Sequence, residues 1–236
     1  MSIAENVAAI RAKIEAAAIS CGRDPKEIKL CAATKMNDAN AVRQAIAAGV
    51  DLCCENRVQE LVQKQKENAY EGAPVHFIGH LQTNKVKQVV GKVDVIQSVD
   101  RINLLDAIQK EAAKQGIVQD ILLEVNIGEE ASKSGFKASE VLPLLEQIGE
   151  FPNIFVRGLM AIPPISENFG DNRKFFQEML QLSVDIRAKK YDNVLVECLS
   201  MGMSDDFEDA ICCGSTMIRI GTAIFGARAP AHLHQK

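Results

Sequence analysis

Short apolar runs and amphipathic stretches alternate along nearly the whole chain, and that alternation limits its folds more than any other feature. The apolar runs fall at residues 28–34, 50–53, 75–78, 93–97, 119–126, 153–160, 194–199 and 215–220. Helical patterns fill the gaps at 40–48, 57–66, 84–90, 101–115, 138–149 and 171–189, and shorter ones follow the seventh and eighth runs. A leading stretch at 3–20 carries Ile3, Val7, Ile10, Ile14 and Ala17 at helical spacing and ends at Cys21-Gly22. Strands joined by crossover helices run parallel. Eight such units in 236 residues fit a single α/β domain, a closed (β/α)8 TIM barrel with an extra N-terminal helix, because closure leaves no unpaired edge. An open doubly wound sheet is the alternative, but the first run lacks the Gly-x-Gly-x-x-Gly turn of a dinucleotide fold. The barrel is expected over residues 1–228, with a disordered tail at 229–236 whose His232 and His234 are read as incidental.

Charge and composition remove several classes of function. With 27 basic and 31 acidic residues and no basic block, the chain is not a nucleic-acid binder in its main role. No apolar run approaches the ~18 residues that would suggest a membrane span, and the first ten residues lack a secretory pattern, so a cytoplasmic location is expected. The seven cysteines are odd in number and form no Cys-x-x-Cys pair, which reads as small buried hydrophobes in a reducing compartment. Zinc is rejected for want of spaced ligands. A reactive thiol at Cys54 is weighed against inert packing, and packing is preferred. His76 and His80 are four apart, but on a strand and its exit, which does not make a two-histidine metal face.

In a parallel barrel the C-terminal strand ends share one mouth. Two neighbouring strand ends there, Ser200 to Ser204 and Gly221-Thr222, offer hydroxyls, small residues and helix-start N–H groups of the kind a phosphate accepts. Ordinary caps and turns give the same pattern, so two such ends side by side carry more weight than either alone. Lys35 closes the first strand, as a solvated rim charge or as an amine able to form a Schiff base with an aldehyde. Taken alone, the solvated reading is the stronger. Arg219 stands two residues before Gly221; its guanidinium could hold a pyridine nitrogen unprotonated, or make an ion pair inside the barrel.

A lysine, a phosphate cradle and an arginine on one rim describe a pocket for pyridoxal 5′-phosphate (PLP). At these residues the chain resembles the pyridoxal phosphate homeostasis protein family, whose fold is like the N-terminal barrel of alanine racemase. The resemblance spans residues 3–228 and rests on AATK ending at Lys35, ENRVQE from Glu55, HFIGHLQTNK from His76, VNIGEEASKSGF from Val125 and GLMAIPP from Gly158. The closing LSMGMSDDFEDAI and GSTMIRIGTAIFGAR complete it. It implies that Lys35 is the Schiff-base lysine and that Ser200, Met201, Ser204, Gly221 and Thr222 contact the phosphate, some through backbone N–H groups. It also implies that Arg219 meets the pyridine nitrogen, with Asn56 and His80 lining the ring side. His80 as a satisfied core histidine stays open. Two positions depart from the family pattern: Asn37 replaces a frequent second lysine, and Cys54 stands where relatives usually have Gly before Glu-Asn. Lys133 lies in a polar loop, near the pocket or free on the surface.

Two functions use such a pocket. A PLP-dependent amino-acid racemase needs an acid or base on each face of the substrate carbon, and related racemases take the second, a tyrosine, from a further domain. The two tyrosines here, Tyr70 and Tyr191, are poorly placed for that, and an arginine at the pyridine nitrogen weakens the electron sink. A carrier needs neither part. The expected function is therefore PLP binding for intracellular vitamin B6 and amino-acid homeostasis, with no catalytic residues and no metal. PLP-dependent apoenzymes are candidate partners, and the simplest oligomeric state is a monomer. A phosphosugar-binding barrel is a third reading, which would not need Lys35 as an imine.

Overall fold

The computed structural model describes residues 1–130, 132–164 and 170–226; the tail expected at 229–236 lies outside them. Eight strands close into one barrel in sequence order: β1 (Lys29–Ala33), β2 (Leu52–Glu55), β3 (Val75–Phe77), β4 (Val95–Val99), β5 (Gln119–Val125), β6 (Ile154–Ala161), β7 (Val194–Ser200) and β8 (Met217–Ile220). Every neighbouring pair is parallel, including β1 with β8. Around them lie α1 (Ile3–Ser20), α2 (Ala39–Ala47), α3 (Val58–Lys66), α4 (Ile102–Gln115), α5 (Ala138–Glu146), α6 (Arg173–Lys189), α7 (Phe207–Cys212) and α8 (Thr222–Phe225).

Side chains alternate across each strand, so each serves two cores. Leu30, Ala32, Phe77, Ile96, Ile121, Leu123 and Ile218 join the large outer core beneath the helices. Cys31, Ala33, Leu52, Cys54 and Met217 form a separate cluster, with Ile78 and Cys198 against it, inside the barrel. Three of the seven cysteines thus fill the narrow interior, as small apolar side chains can. Burial pushes the Cys31 thiol well above its ordinary value and that of Cys198 up to about 12, consistent with inert packing. Cys54 lies wholly buried within β2, so the turn expected to loosen at that position comes later, at Asn56.

The expected elements are present, with small differences in their bounds. The helix expected at 84–90 is a 3-10 segment, Thr83–Gln88, followed by buried Val89 and Val90. The second strand lies two residues later than expected, because the Asp51 carboxylate takes the Leu30 N–H at 2.6 Å and pairs with Arg11 at 2.7 Å. The fourth strand is shifted by the same amount. α5 ends at Glu146, before a short 3-10 turn, Ile148–Glu150.

The N-terminal helix α1 begins with a capping box: Ser2 Oγ accepts from the Glu5 N–H at 3.2 Å, and Glu5 accepts from the Ser2 N–H at 2.7 Å. Its face of Val7, Ile10, Ile14, Ala17 and Ala18 packs against α2, α7 and α8. Asn6 Nδ2 donates to the Ile224 carbonyl at 2.8 Å. The helix therefore lies across the seam where β8 meets β1.

Candidate functional site

Register decides which strand ends meet. Ala32 pairs with Ile220, so the residues after β1 and after β8 rise side by side. Lys35, half-buried, comes two residues past the end of β1, and Met36 follows in the left-handed region at φ 62°. Asn37 closes this turn: its N–H donates to the Thr34 carbonyl at 3.1 Å and its Nδ2 to the Lys35 carbonyl at 3.0 Å. Asn37 thus has a structural task here. Beside it, Gly221 lies against β1: a Cβ there would be in ordinary contact, 3.5 Å, with the Cβ and the carbonyl oxygen of Ala33. Thr222 opens α8, whose first N–H groups have no acceptor within the helix.

β7 delivers the second strand end. The Met201 N–H donates to the Met217 carbonyl at 3.1 Å, and the Arg219 N–H to the Gly202 carbonyl at 3.0 Å, which ties the 200–204 turn to β8. Two of the expected phosphate contacts are engaged elsewhere as a result. The Met201 N–H is held by the sheet. The Ser200 hydroxyl points into the barrel, donating to Gln97 Oε1 at 2.6 Å and accepting from Arg219 Nη1 at 2.7 Å. Ser204, Gly221 and Thr222 remain at the mouth, with Ser204 half-buried.

Arg219 is 4% exposed and also donates to the Ala161 carbonyl at 2.9 Å. Burial pushes its guanidinium below the ordinary value; an arginine still keeps its charge. The described hydrogen bonds hold it to the ends of β6 and β7 and use part of its five-donor fork. Beneath Ser200, Gln97 Nε2 lies 2.8 Å from His76 Nδ1. Arg219, Ser200, Gln97 and His76 thus form one chain across the barrel interior. Burial pushes His76 down to about 4, so the imidazole is neutral near pH 7 and Nδ1 accepts from Gln97.

Glu124 lies on β5 within the fields of Arg219, Arg101 and Asp100. Burial, reinforced by Asp100, pushes its carboxyl up to about 7, and the two arginines only partly offset this. Asn56 follows β2, and its Oδ1 is buried with no hydrogen-bond partner. Gly79 makes room for it, since a Cβ at Gly79 would fall 1.9 Å from the Asn56 carbonyl oxygen. His80 is an exposed rim residue with Nδ1 3.3 Å from Asp100 Oδ2, and not a core histidine. Lys133 is anchored rather than free: it donates to the Pro163 carbonyl at 3.1 Å and pairs with Glu130. Tyr70 donates to Glu55 Oε1 at 3.2 Å on the outer face of the barrel, and Tyr191 lies just before β7, at the opposite end from the mouth.

The expected site residues therefore come from five consecutive strand ends, in the order β7, β8, β1, β2, β3. His76, Gln97 and Glu124 were not among them. Each is a polar residue next to strand residues that face the outer core, and that alternation is the signal that points to them. Among the described residues no group of three or more His, Cys, Asp or Glu is placed to hold a metal ion, and no helix is long and apolar enough to cross a membrane.

The family model of the alanine racemase N-terminal domain matches residues 3–229. A pyridoxal phosphate homeostasis protein of Aquifex aeolicus is 43% identical over 228 residues, covering 97% of this chain and 99% of that one. The protein of the same name from Escherichia coli is 42% identical over 230 residues, covering 96% and 97%. Among solved structures, a protein of Bifidobacterium adolescentis superposes with a TM-score of 0.89 at 36% identity, covering 94% of each chain. PipY of Synechococcus elongatus, solved with PLP bound, superposes with a TM-score of 0.82 at 30% identity, covering 95% of this chain and 100% of that one.

Proposed function

The chain belongs to the pyridoxal phosphate homeostasis protein family, within the wider alanine racemase N-terminal domain family, and from that premise we propose that it holds PLP at the mouth of its barrel in a homeostatic, non-catalytic role. The observation that carries this is the side-by-side rise of Lys35 and Gly221-Thr222 from paired strands, which offers an amine and a helix start to one small molecule. When bound, PLP supplies an aldehyde that bonds an amine, and a phosphate that wants N–H donors. The residues present fit that group. Lys35 is the amine for the aldehyde carbon; Ser204, Gly221 and Thr222 offer donors for the phosphate; Arg219 presents a charged donor for the ring nitrogen. The buried, unpartnered Asn56 Oδ1 is an acceptor in want of a donor at the same mouth. His80 and Ser200 serve at one remove, at the outer rim and under Arg219.

A racemase reading has less support. Both tyrosines of the chain are accounted for away from Lys35, one bonded behind β2 and one at the far end of the barrel. A guanidinium at the ring nitrogen would also keep that nitrogen unprotonated. We infer further that the protein works as a monomer in the cytoplasm and exchanges its cofactor with PLP-dependent apoenzymes.

The test is spectroscopic. Purified protein incubated with PLP should absorb in the visible region, lose that band on borohydride reduction, and carry the label on Lys35 after peptide mapping. Lys35→Ala should abolish the label while leaving the circular dichroism unchanged, because a half-buried rim side chain adds little to the core. A label on another lysine, or none, would sink the assignment.

A further inference from the structure

Behind the β1–β2 seam, on the face away from the barrel interior, lies a buried charged cluster that the binding site as described does not use. Lys64 on α3 is 5% exposed, and its ammonium has three oxygen partners: Glu55, the Thr34 carbonyl at 2.7 Å, and Glu60 Oε2 at 3.4 Å. Three donors meet three acceptors, so the buried ammonium is fully satisfied. Glu55 is completely buried, and its Oε1 also accepts from Thr34 Oγ1 at 2.6 Å and from Tyr70 Oη at 3.2 Å. Burial, followed by the Glu55 carboxylate, pushes the Tyr70 phenol above its ordinary value, so it stays a donor. Glu60 reaches back as well: its Oε2 accepts the Met36 N–H at 2.6 Å.

The two backbone groups held by this cluster flank one residue. The Thr34 carbonyl belongs to the peptide before Lys35, and the Met36 N–H to the peptide after it. Peptide units are planar, so a hydrogen bond on each restricts the φ and ψ of Lys35 and hence the direction of its Cα–Cβ bond. The left-handed backbone of Met36 is uncommon for a residue with a side chain, and a charge-assisted hydrogen bond at its N–H is the kind of interaction that sustains it.

We propose that Glu60 and Lys64 on α3 are positioning residues for Lys35: they clamp its two flanking peptides and aim its amine at the aldehyde carbon of the ligand. This rests on the reading of Lys35 as the amine that bonds PLP. Neither residue touches the ligand. A 1 Å displacement of a reacting group can reduce the efficiency of its reaction by orders of magnitude even when binding elsewhere is intact.

The experiment compares two ligands that differ only at the reacting carbon. PLP uses the amine of Lys35; pyridoxine 5′-phosphate, which has an alcohol in place of the aldehyde, uses only the ring and phosphate contacts. Glu60 is partly solvated on the first turn of α3, so Glu60→Ala keeps a helix former there and leaves Lys64 its two shorter contacts. In Glu60→Ala the affinity for PLP should fall about tenfold, the scale of one lost charge-assisted hydrogen bond. Its affinity for pyridoxine 5′-phosphate should stay within about twofold of the wild type, because ring and phosphate contacts are independent of the clamp. Glu60→Gln, which keeps an oxygen within reach of the Met36 N–H, should recover PLP affinity to within about threefold. Equal weakening of both ligands would assign Glu60 a general structural role and overturn the proposal, as would unchanged PLP affinity. Wild-type protein decides the underlying reading separately: if it shows no reducible label on Lys35, the assignment of that amine fails whatever the variants do.

Discussion

Two single residues inside the barrel shift how stability responds to acid. His76 titrates near 4 in the folded chain against an ordinary 6.5, so between those values the unfolded chain binds more protons and stability rises with pH. Glu124 does the opposite. Its folded value is about 7 against an ordinary 4.5, so across that interval the folded chain holds the extra proton and stability falls as pH rises. The two slopes oppose each other where the windows overlap. Glu124→Gln removes one of them, and its stability should climb relative to the wild type by up to ~1.4 kcal/mol per pH unit through the shared window. Urea unfolding of both proteins at pH 4.5, 5.5 and 6.5 measures the difference; parallel pH curves would show that Glu124 does not titrate as described. At the same scale, the chemistry of the mouth was only partly legible. Lys35, Gly221 and Thr222 were legible because local periodicity places them at the exits of the first and last strands. The commitment of the Ser200 hydroxyl to Gln97 and Arg219 could not be seen, because it depends on a partner in another strand.

Among the elements, β6 and β7 approach too closely for a side-chain carbon to fit between them at Gly158. A Cβ at Gly158 would fall 1.9 Å from the Cys198 carbonyl oxygen, and the β6–β7 register shifts at this point. Neither backbone can yield without breaking the ladder. Gly158→Ala should therefore destabilise the protein by about 3 kcal/mol or more, an overpacking effect in a closed sheet. Gly149→Ala, where nothing lies within 4 Å of the added carbon, should change stability by no more than ~0.5 kcal/mol. Thermal unfolding of the two variants checks the contrast, and similar melting temperatures would count against it. Element type was legible almost throughout, since period and punctuation are local. Exact bounds were less so. β2 starts at Leu52 rather than Val50 because the carboxylate of Asp51 replaces a ladder partner of Leu30, a choice made by contact with Arg11 and β1.

At the scale of the whole molecule, α1 closes the seam between the first and last strands. Val7, Ile10 and Ile14 are buried by it, and each such side chain contributes ~1.5–3 kcal/mol, a sum comparable to the ~5–15 kcal/mol by which domains are typically stable. A chain lacking residues 1–20 should accordingly lose cooperative unfolding. A sharp calorimetric transition within about 5 °C of the full chain would show α1 to be an ornament.

The sequence on its own determined the barrel and the leading helix, because hydrophobic periodicity is written residue by residue and eight parallel units have few ways to close. It also marked the mouth, because parallel strands put all their exits at one end. Only the folded barrel decided which side chains join. Ser200 reaches Gln97 across 103 residues of chain, and Lys64 reaches the Thr34 carbonyl across 30. Such pairings follow from register and closure, and no local pattern encodes them.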